Sequence, residues 1–224
     1  EDQAMLLYIE TKDESTCCGC RACEQKCPKN AISMINNREG FLYPELNESL
    51  CIQCGMCERV CPIMNKPKVQ NKVDNVFAIQ LLEAKTLQNS SSGGAFRLLA
   101  DHIIDQNGYV IGCVWGKDFK PYLEIAKTKK QLLAMQGSKY VSSDTIDIYK
   151  QVQKLLNKDC LVLFSGSPCQ CAGLLNYIKG PVKNLITVDF LCHGMPSYTA
   201  FNEYVSDIAK RKNVDNFETY SFRD

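Results

Sequence analysis

Eight cysteines stand in two runs of identical spacing: Cys17, Cys20, Cys23 and Cys27, then Cys51, Cys54, Cys57 and Cys61. A proline closes each run (Pro28, Pro62), and each cysteine of the second run follows its counterpart by 34 positions. Three thiolates at two-residue gaps in one tight loop can each hold a different iron of an iron–sulfur cubane. The proline turns the chain away, so a fourth thiolate must come from elsewhere. Zinc also takes Cys-x2-Cys pairs, four ligands to an ion. Zinc has no use for a third cysteine at the same gap, twice over, with Cys-Pro trailing each time. Disulfides fit less well, because the sequence shows no secretory signal and a reducing cytosol does not keep them. The expected location is therefore cytoplasmic.

The Cys-x2-Cys-x2-Cys-x3-Cys-Pro run resembles that of bacterial two-cluster ferredoxins. The resemblance implies two 4Fe–4S clusters with crossed ligation. Cluster one would use Cys17, Cys20, Cys23 and Cys61; cluster two would use Cys51, Cys54, Cys57 and Cys27. Cys18 falls outside the ligand spacing and reads as filler.

These residues must be positioned by a chain of 224 residues, enough for a small module and one sizeable domain. Lys and Arg number 26 against 25 Asp and Glu, with no basic block, so nucleic acid is not an expected partner. Two oxidised clusters on eight thiolates would move the formal charge from +1 to roughly −3. No run approaches the length of a membrane span.

The expected class is α+β. A two-cluster ferredoxin-like module (1–65) precedes a polar linker (66–75). An α/β domain with a mixed or mainly parallel sheet follows, in a first part (76–150) and a second (151–224). In the module, 5–9 reads as an edge strand, and 31–35 with 41–44 as a hairpin around Asn36 to Gly40. Beyond the linker, 76–80, 109–115, 160–164 and 185–191 read as strands, and 95–106, 146–156 and 171–178 as helices. Strands without polar alternation are buried on both faces, so 160–191 reads as a βαβ unit.

Ligands of open α/β sheets bind beyond the carboxyl ends of the strands. Cys169 follows the 160–164 strand, and Cys192 and His193 follow the 185–191 strand. The two cysteines either face one crevice or are small core residues; spacing does not choose. His193, beside Cys192, is a candidate for function, whereas His102 reads as a packing or surface residue. Ser90-Ser91-Ser92-Gly93-Gly94 opens the 95–106 helix, either as an anion cradle or as an ordinary serine cap. Lys139 lies among small residues, Gly137 to Ser143.

In this order, the Cys-Pro blocks, Ser90 to Phe96, Gly137 to Val141, Phe164 to Gln170 and Asp189 to Gly194 resemble one family. It comprises the beta subunits of the deazaflavin-dependent (coenzyme F-420) hydrogenases and dehydrogenases, some of which carry a fused two-cluster ferredoxin. The resemblance implies FAD in the second domain and electron traffic between flavin and clusters, characteristic of anaerobic metabolism. It implies an oxidoreductase or a subunit of one, working with a redox protein partner and an organic electron acceptor or donor. Ser91, Ser92, Gly93, Gly94 and Lys139 would lie near the flavin, and Cys169 and Cys192 near the flavin or a third cluster. No catalytic residue follows from it. The family runs further, with more cysteines and an acidic, glycine-containing segment, which implies that this chain stops inside the domain. A carrier or accessory subunit without chemistry of its own is the alternative.

Overall fold

The computed structural model describes residues 7–67, 75–180, 182–214 and 217–222. Its fold is α+β, a small ferredoxin-like region followed by a domain with a mixed sheet. Helix α1 (Tyr8–Thr11) stands where an edge strand was expected. The Thr11 hydroxyl donates to the Leu7 carbonyl at 3.2 Å, and Lys12 turns left-handed to close the turn. Residues 5 and 6 of that expected strand lie outside the described residues.

Helix α2 (Ala22–Lys26) leads into strands β1 (Ile32–Asn36) and β2 (Leu42–Leu46), an antiparallel hairpin in register Ile32 to Leu46. The Asn37 side chain accepts from the N–H groups of Glu39 (3.0 Å) and Phe41 (2.9 Å), which folds the loop. Helix α3 (Met56–Val60) repeats α2 one period later. The backbones repeat as well. Gly19 and Gln53 (φ 65° and 51°) and Arg21 and Gly55 (φ 61° and 66°) are all left-handed. A left-handed non-glycine residue costs roughly 1–2 kcal/mol, so Arg21 and Gln53 are held there by the cysteine loops.

The second region follows with α4 (Ala84–Gln88), α5 (Ala95–Asp105), β3 (Tyr109–Trp115), β4 (Pro121–Ala126), α6 (Lys129–Met135), α7 (Ile148–Leu156), β5 (Val162–Ser165), α8 (Pro168–Tyr177), β6 (Leu185–Val188) and α9 (Tyr198–Lys212). The sheet order is β4-β3-β5-β6. β3 runs antiparallel to β4 and parallel to β5, and β5 runs parallel to β6. The β5-α8-β6 unit is the expected βαβ. β4 was not expected; apolar Leu123 and Ile125 on either side of Glu124 were the available signal, and a proline opens it, as edge strands allow. Segment 76–80 forms no strand: β4 and β6 take the sheet edges, leaving Val76 and Phe77 88% and 75% exposed. β6 ends at Val188, three residues short of expectation, with Leu191 fully exposed. Among the described residues, no helix is long and apolar enough to cross a membrane.

The two regions share one core. Cys20, Ala22 and Val60 pack with Tyr149, Val152, Phe164 and Leu174. Gln25, buried, accepts the Tyr149 N–H at 2.9 Å, and the Thr145 hydroxyl donates to the Cys20 carbonyl at 3.2 Å. Arg21 joins Glu24 (2.6 Å) and Asp144 (3.0 Å), although its Nε, 2.6 Å from Asp144, lies off the hydrogen-bond line. Residues 68–74 of the expected linker lie outside the described residues. The hairpin tip also docks: Ser197, capping α9, donates to the Glu39 carbonyl, and a Cβ on Gly40 would strike Thr199.

Removing Asp144 leaves the largely buried Arg21 guanidinium with Glu24 as its one carboxylate. Asp144→Ala should cost about 2 kcal/mol, less than a fully buried pair because both side chains keep some solvent. The urea midpoint measures it; an unchanged midpoint would show that the ion pair does not hold the regions together.

Candidate functional site

The structure gathers the two cysteine sets around separate hollows. Cys17, Cys20, Cys23 and Cys61 line one. Cys27, Cys51, Cys54 and Cys57 line the other. Each set therefore draws three cysteines from one block and the last cysteine of the other. Backbone N–H groups point at the sulfurs: Gly19 to Cys17 (3.4 Å), Gln53 to Cys51 (3.4 Å) and Ala31 to Cys27 (3.3 Å). Such bonds stabilise thiolate charge and tune cluster potentials.

Burial pushes the Cys17, Cys23 and Cys57 thiols up, and neighbouring thiols add to it: Cys61 for Cys17, Cys17 for Cys23, Cys51 for Cys57. Thiols crowded in this way ionise readily only against a cation. An all-sulfur donor set in an apolar lining fits iron–sulfur cores. Among the described residues, no three His, Cys, Asp or Glu side chains converge on a single metal ion; the ligands of a cubane are spread over separate irons.

A third cavity, of about 400 Å³, lies in the second region, a size typical of small-molecule sites. Ser90, Ser91, Ser92 and Gly94 line it, and Lys139, Cys113 and Phe96 complete much of its wall. Two loops form its rim and are tied together. Arg97 donates to Gln136 (2.7 Å), and Gln136 donates to the Ser90 hydroxyl (2.8 Å). The Ser138 N–H donates to the Ser91 hydroxyl at 2.8 Å. Gly93 does not line the cavity; a Cβ there would strike the Ile79 carbonyl. Lys139 donates to the carbonyls of Met135 (3.4 Å), Gln136 (3.0 Å) and Gly137 (3.2 Å), so it also closes the end of α6. Burial pushes its pKa down, with Cys113 opposing. The serine–glycine loop at the start of α5, with a buried amine and apolar walls, fits a ligand that joins an anionic group to a flat ring.

A fourth cavity, of about 330 Å³, lies between the two regions. Cys17 and Cys18 line it from one side, Cys169 and Cys192 from the other. Cys169 and Cys192 thus do share a crevice, although Cys192 is itself exposed and His193 lines neither large cavity. The 330 and 400 Å³ cavities meet at one wall built from Ser143, Ser167, Gln170 and Met195, which line both. Gln170 holds that wall. Its Oε1 accepts from the Ser167 N–H (2.9 Å), and its Nε2 donates to the carbonyl and hydroxyl of Ser143, both at 3.1 Å. The sequence analysis named Gln170 within a motif but gave it no role, although Ser167-x-x-Gln170 is a capping-box pattern. Cys18, read as filler, lines both the 330 Å³ cavity and the hollow of the first cysteine set.

Residues 16–65 match the family described as "4Fe-4S dicluster domain", which marks the chain as an iron–sulfur electron-transfer protein. No curated protein matches the chain. Among solved structures, it is similar to a chain of the F-420-reducing nickel–iron hydrogenase complex from Methanosarcina barkeri, at 22% identity and a TM-score of 0.49. The match covers 58% of this chain and 48% of that one, so it spans about half of that chain's length.

Burial pushes Cys113 up to about 11 from 9.0, with Lys139 and Ser143 opposing. Below pH 9 the thiol is protonated in folded and unfolded chains alike. Between pH 9 and 11 only the unfolded chain ionises, so stability falls as pH rises, by roughly 2 kcal/mol in all at 1.36 kcal/mol per unit. Urea denaturation at pH 9 and pH 11 should show Cys113→Ala losing less than the parent over that window; equal losses would refute this.

Proposed function

We propose that the chain passes electrons between two 4Fe–4S clusters and a flavin, FAD by resemblance, and through the flavin to or from an organic partner. Cys17, Cys20, Cys23 and Cys61 hold one cluster; Cys51, Cys54, Cys57 and Cys27 hold the other. The observation that carries the reading is the shared wall. The cavity fitted to an anionic ring ligand adjoins the cavity that Cys17 lines, with only the side chains of Ser143, Ser167, Gln170 and Met195 in common between them. A bound flavin would supply hydride exchange with the organic partner and single-electron exchange with the clusters.

The protein's own residues do the rest. Ser91 and Ser92 orient the ligand's polar end at the start of α5, and Gly94 lets the loop turn there with φ 74°. Lys139 places a positive charge in the same wall. The thiolates bind iron, and their N–H partners hold the cysteine loops in shape. Work in the cytoplasm suits such ligands, because a reducing compartment keeps the thiols free.

A second reading, as an accessory subunit without chemistry of its own, is favoured by one observation. Phe190 and Leu191 at the rim of the 400 Å³ cavity are 48% and 100% exposed, apolar surface that a larger redox complex would cover. Turnover separates the readings. An enzyme couples reduced clusters to a defined small molecule at steady state; a subunit passes electrons only to another protein.

Anaerobic reconstitution should give about eight irons per chain, four to a cubane. Cys27→Ser should damage the cluster of the 51–57 block and Cys61→Ser that of the 17–23 block. Tightly bound zinc without visible charge-transfer absorption would sink the iron–sulfur reading.

Protein incubated with FAD and desalted should release a fluorescent flavin on heating. Ser91→Ala, which breaks the tie to Ser138, should weaken retention about fivefold, from a loss near 1 kcal/mol. No flavin from the parent protein would refute the flavin site.

A further inference from the structure

Two cations, Arg97 and Lys139, line the 400 Å³ cavity, and no carboxylate does. The two meet at one residue. Arg97 donates to the side-chain oxygen of Gln136 (2.7 Å), and Lys139 donates to its main-chain carbonyl (3.0 Å). Arg97 is only 9% exposed, and a buried guanidinium is costly unless its charge is met. Asp101 meets part of it, with one oxygen 2.8 Å from Nε; its other oxygen is buried without a partner. The pair is therefore single-pronged rather than the stronger two-pronged form. Nε and Nη1 are taken by Asp101 and Gln136, and Nη2 has no hydrogen-bond partner among the described residues. Helix α5 does not account for the residue either. Arg97 stands in its first turn, where the helix dipole disfavours a cation, and that turn holds no acidic residue.

We propose that Arg97 and Lys139 form a two-cation site for a phosphoryl group, and that Arg97 is the residue that selects a phosphorylated ligand for this cavity over an unphosphorylated one. A guanidinium is planar and always charged, and its fork of N–H donors matches phosphate oxygens. A phosphate monoester carries close to two negative charges near neutrality, which two cations without a competing carboxylate balance. The free Nη2 gains its acceptor from the ligand. The Ser90 to Gly94 loop brings the start of α5, with its unpaired N–H groups, to the same cavity. Phe96 and Phe190 leave apolar wall for a ring. A monoester and a diphosphate share this chemistry; FMN carries the first and FAD the second. That the ring is a flavin rests on the function proposed above. The phosphoryl site does not.

The test is anaerobic calorimetric titration of the cluster-loaded protein with FAD, FMN, riboflavin and inorganic pyrophosphate. The better of FAD and FMN should bind about tenfold more tightly than riboflavin, and which of them is better tells whether a diphosphate or a monoester fits. Arg97→Gln should weaken that flavin and pyrophosphate about tenfold, leave riboflavin unchanged and keep iron at the parent's level. Arg97→Lys, which keeps the charge without the fork, should fall between. Asp101→Asn separates binding from packing. It breaks the same ion pair yet leaves the guanidinium in place, so phosphorylated flavin should bind as tightly as to the parent or more so. The proposal is overturned if riboflavin binds as tightly as FAD and FMN, or if Arg97→Gln leaves their binding unchanged. It is equally overturned if Asp101→Asn weakens binding as much as Arg97→Gln does, which would make the pair structural. Failure of the flavin reading looks different: pyrophosphate binds and is lost in Arg97→Gln, while no flavin binds. If neither pyrophosphate nor flavin binds the parent protein, both fall.

Discussion

The seat of α2 against α7 and α8 is the contact on which the site depends. It is made close by a missing side chain. Gly173, in α8, faces Cys20 and Tyr149, and a Cβ there would stand 3.1 Å from both the Cys20 Sγ and the Tyr149 Oη. Glycine lets the helix come near enough for Tyr149 to be fully buried, its hydroxyl donating to the Gln170 carbonyl at 3.0 Å. The same approach brings the 17–20 loop beside the first turn of α8. Burial of Cys20 and burial of Tyr149 are thus one event, and the interregional cavity is what remains beside them.

The internal repeat explains why only one of the two cysteine loops faces that cavity. The loops share spacing, left-handed residues and N–H bonds to sulfur. They differ in what they meet. The first presses on the second region through Cys20, Arg21 and Gln25. The second leaves Ile52 toward solvent. A duplicated backbone with unlike surroundings gives two sites of unlike environment, and polarity and solvent access are what set cluster potentials.

The sequence was most legible where spacing or an apolar run admits few geometries. The two cysteine sets were readable from periodicity, and β3, β5 and the β5-α8-β6 unit from uninterrupted apolar residues. It was least legible where an apolar segment needs a partner. Val76 to Gln80 has strand composition but pairs with no strand, and the partly polar β4 takes the place beside β3. Helix α9 was hidden by its mixed composition; only Phe201 and Val205 are buried, against an aromatic cluster that includes Trp115 and Phe222. In the candidate site, residue types marked Ser91, Lys139 and Cys169, but nothing in the sequence tells which cavity a side chain enters. Lys139 illustrates the limit: its amine is shared with the carbonyls at the end of α6.

Gln170 has a consequence that reaches past packing. Its amide is one of four side chains common to both large cavities, and oxygen and nitrogen alike are fixed by hydrogen bonds. An amide neither gains nor loses a proton near neutrality, so the partition does not titrate. Acidity on one side is not relayed to the other by this residue. The side chains shared by the two cavities thus make a partition whose state does not depend on pH near neutrality.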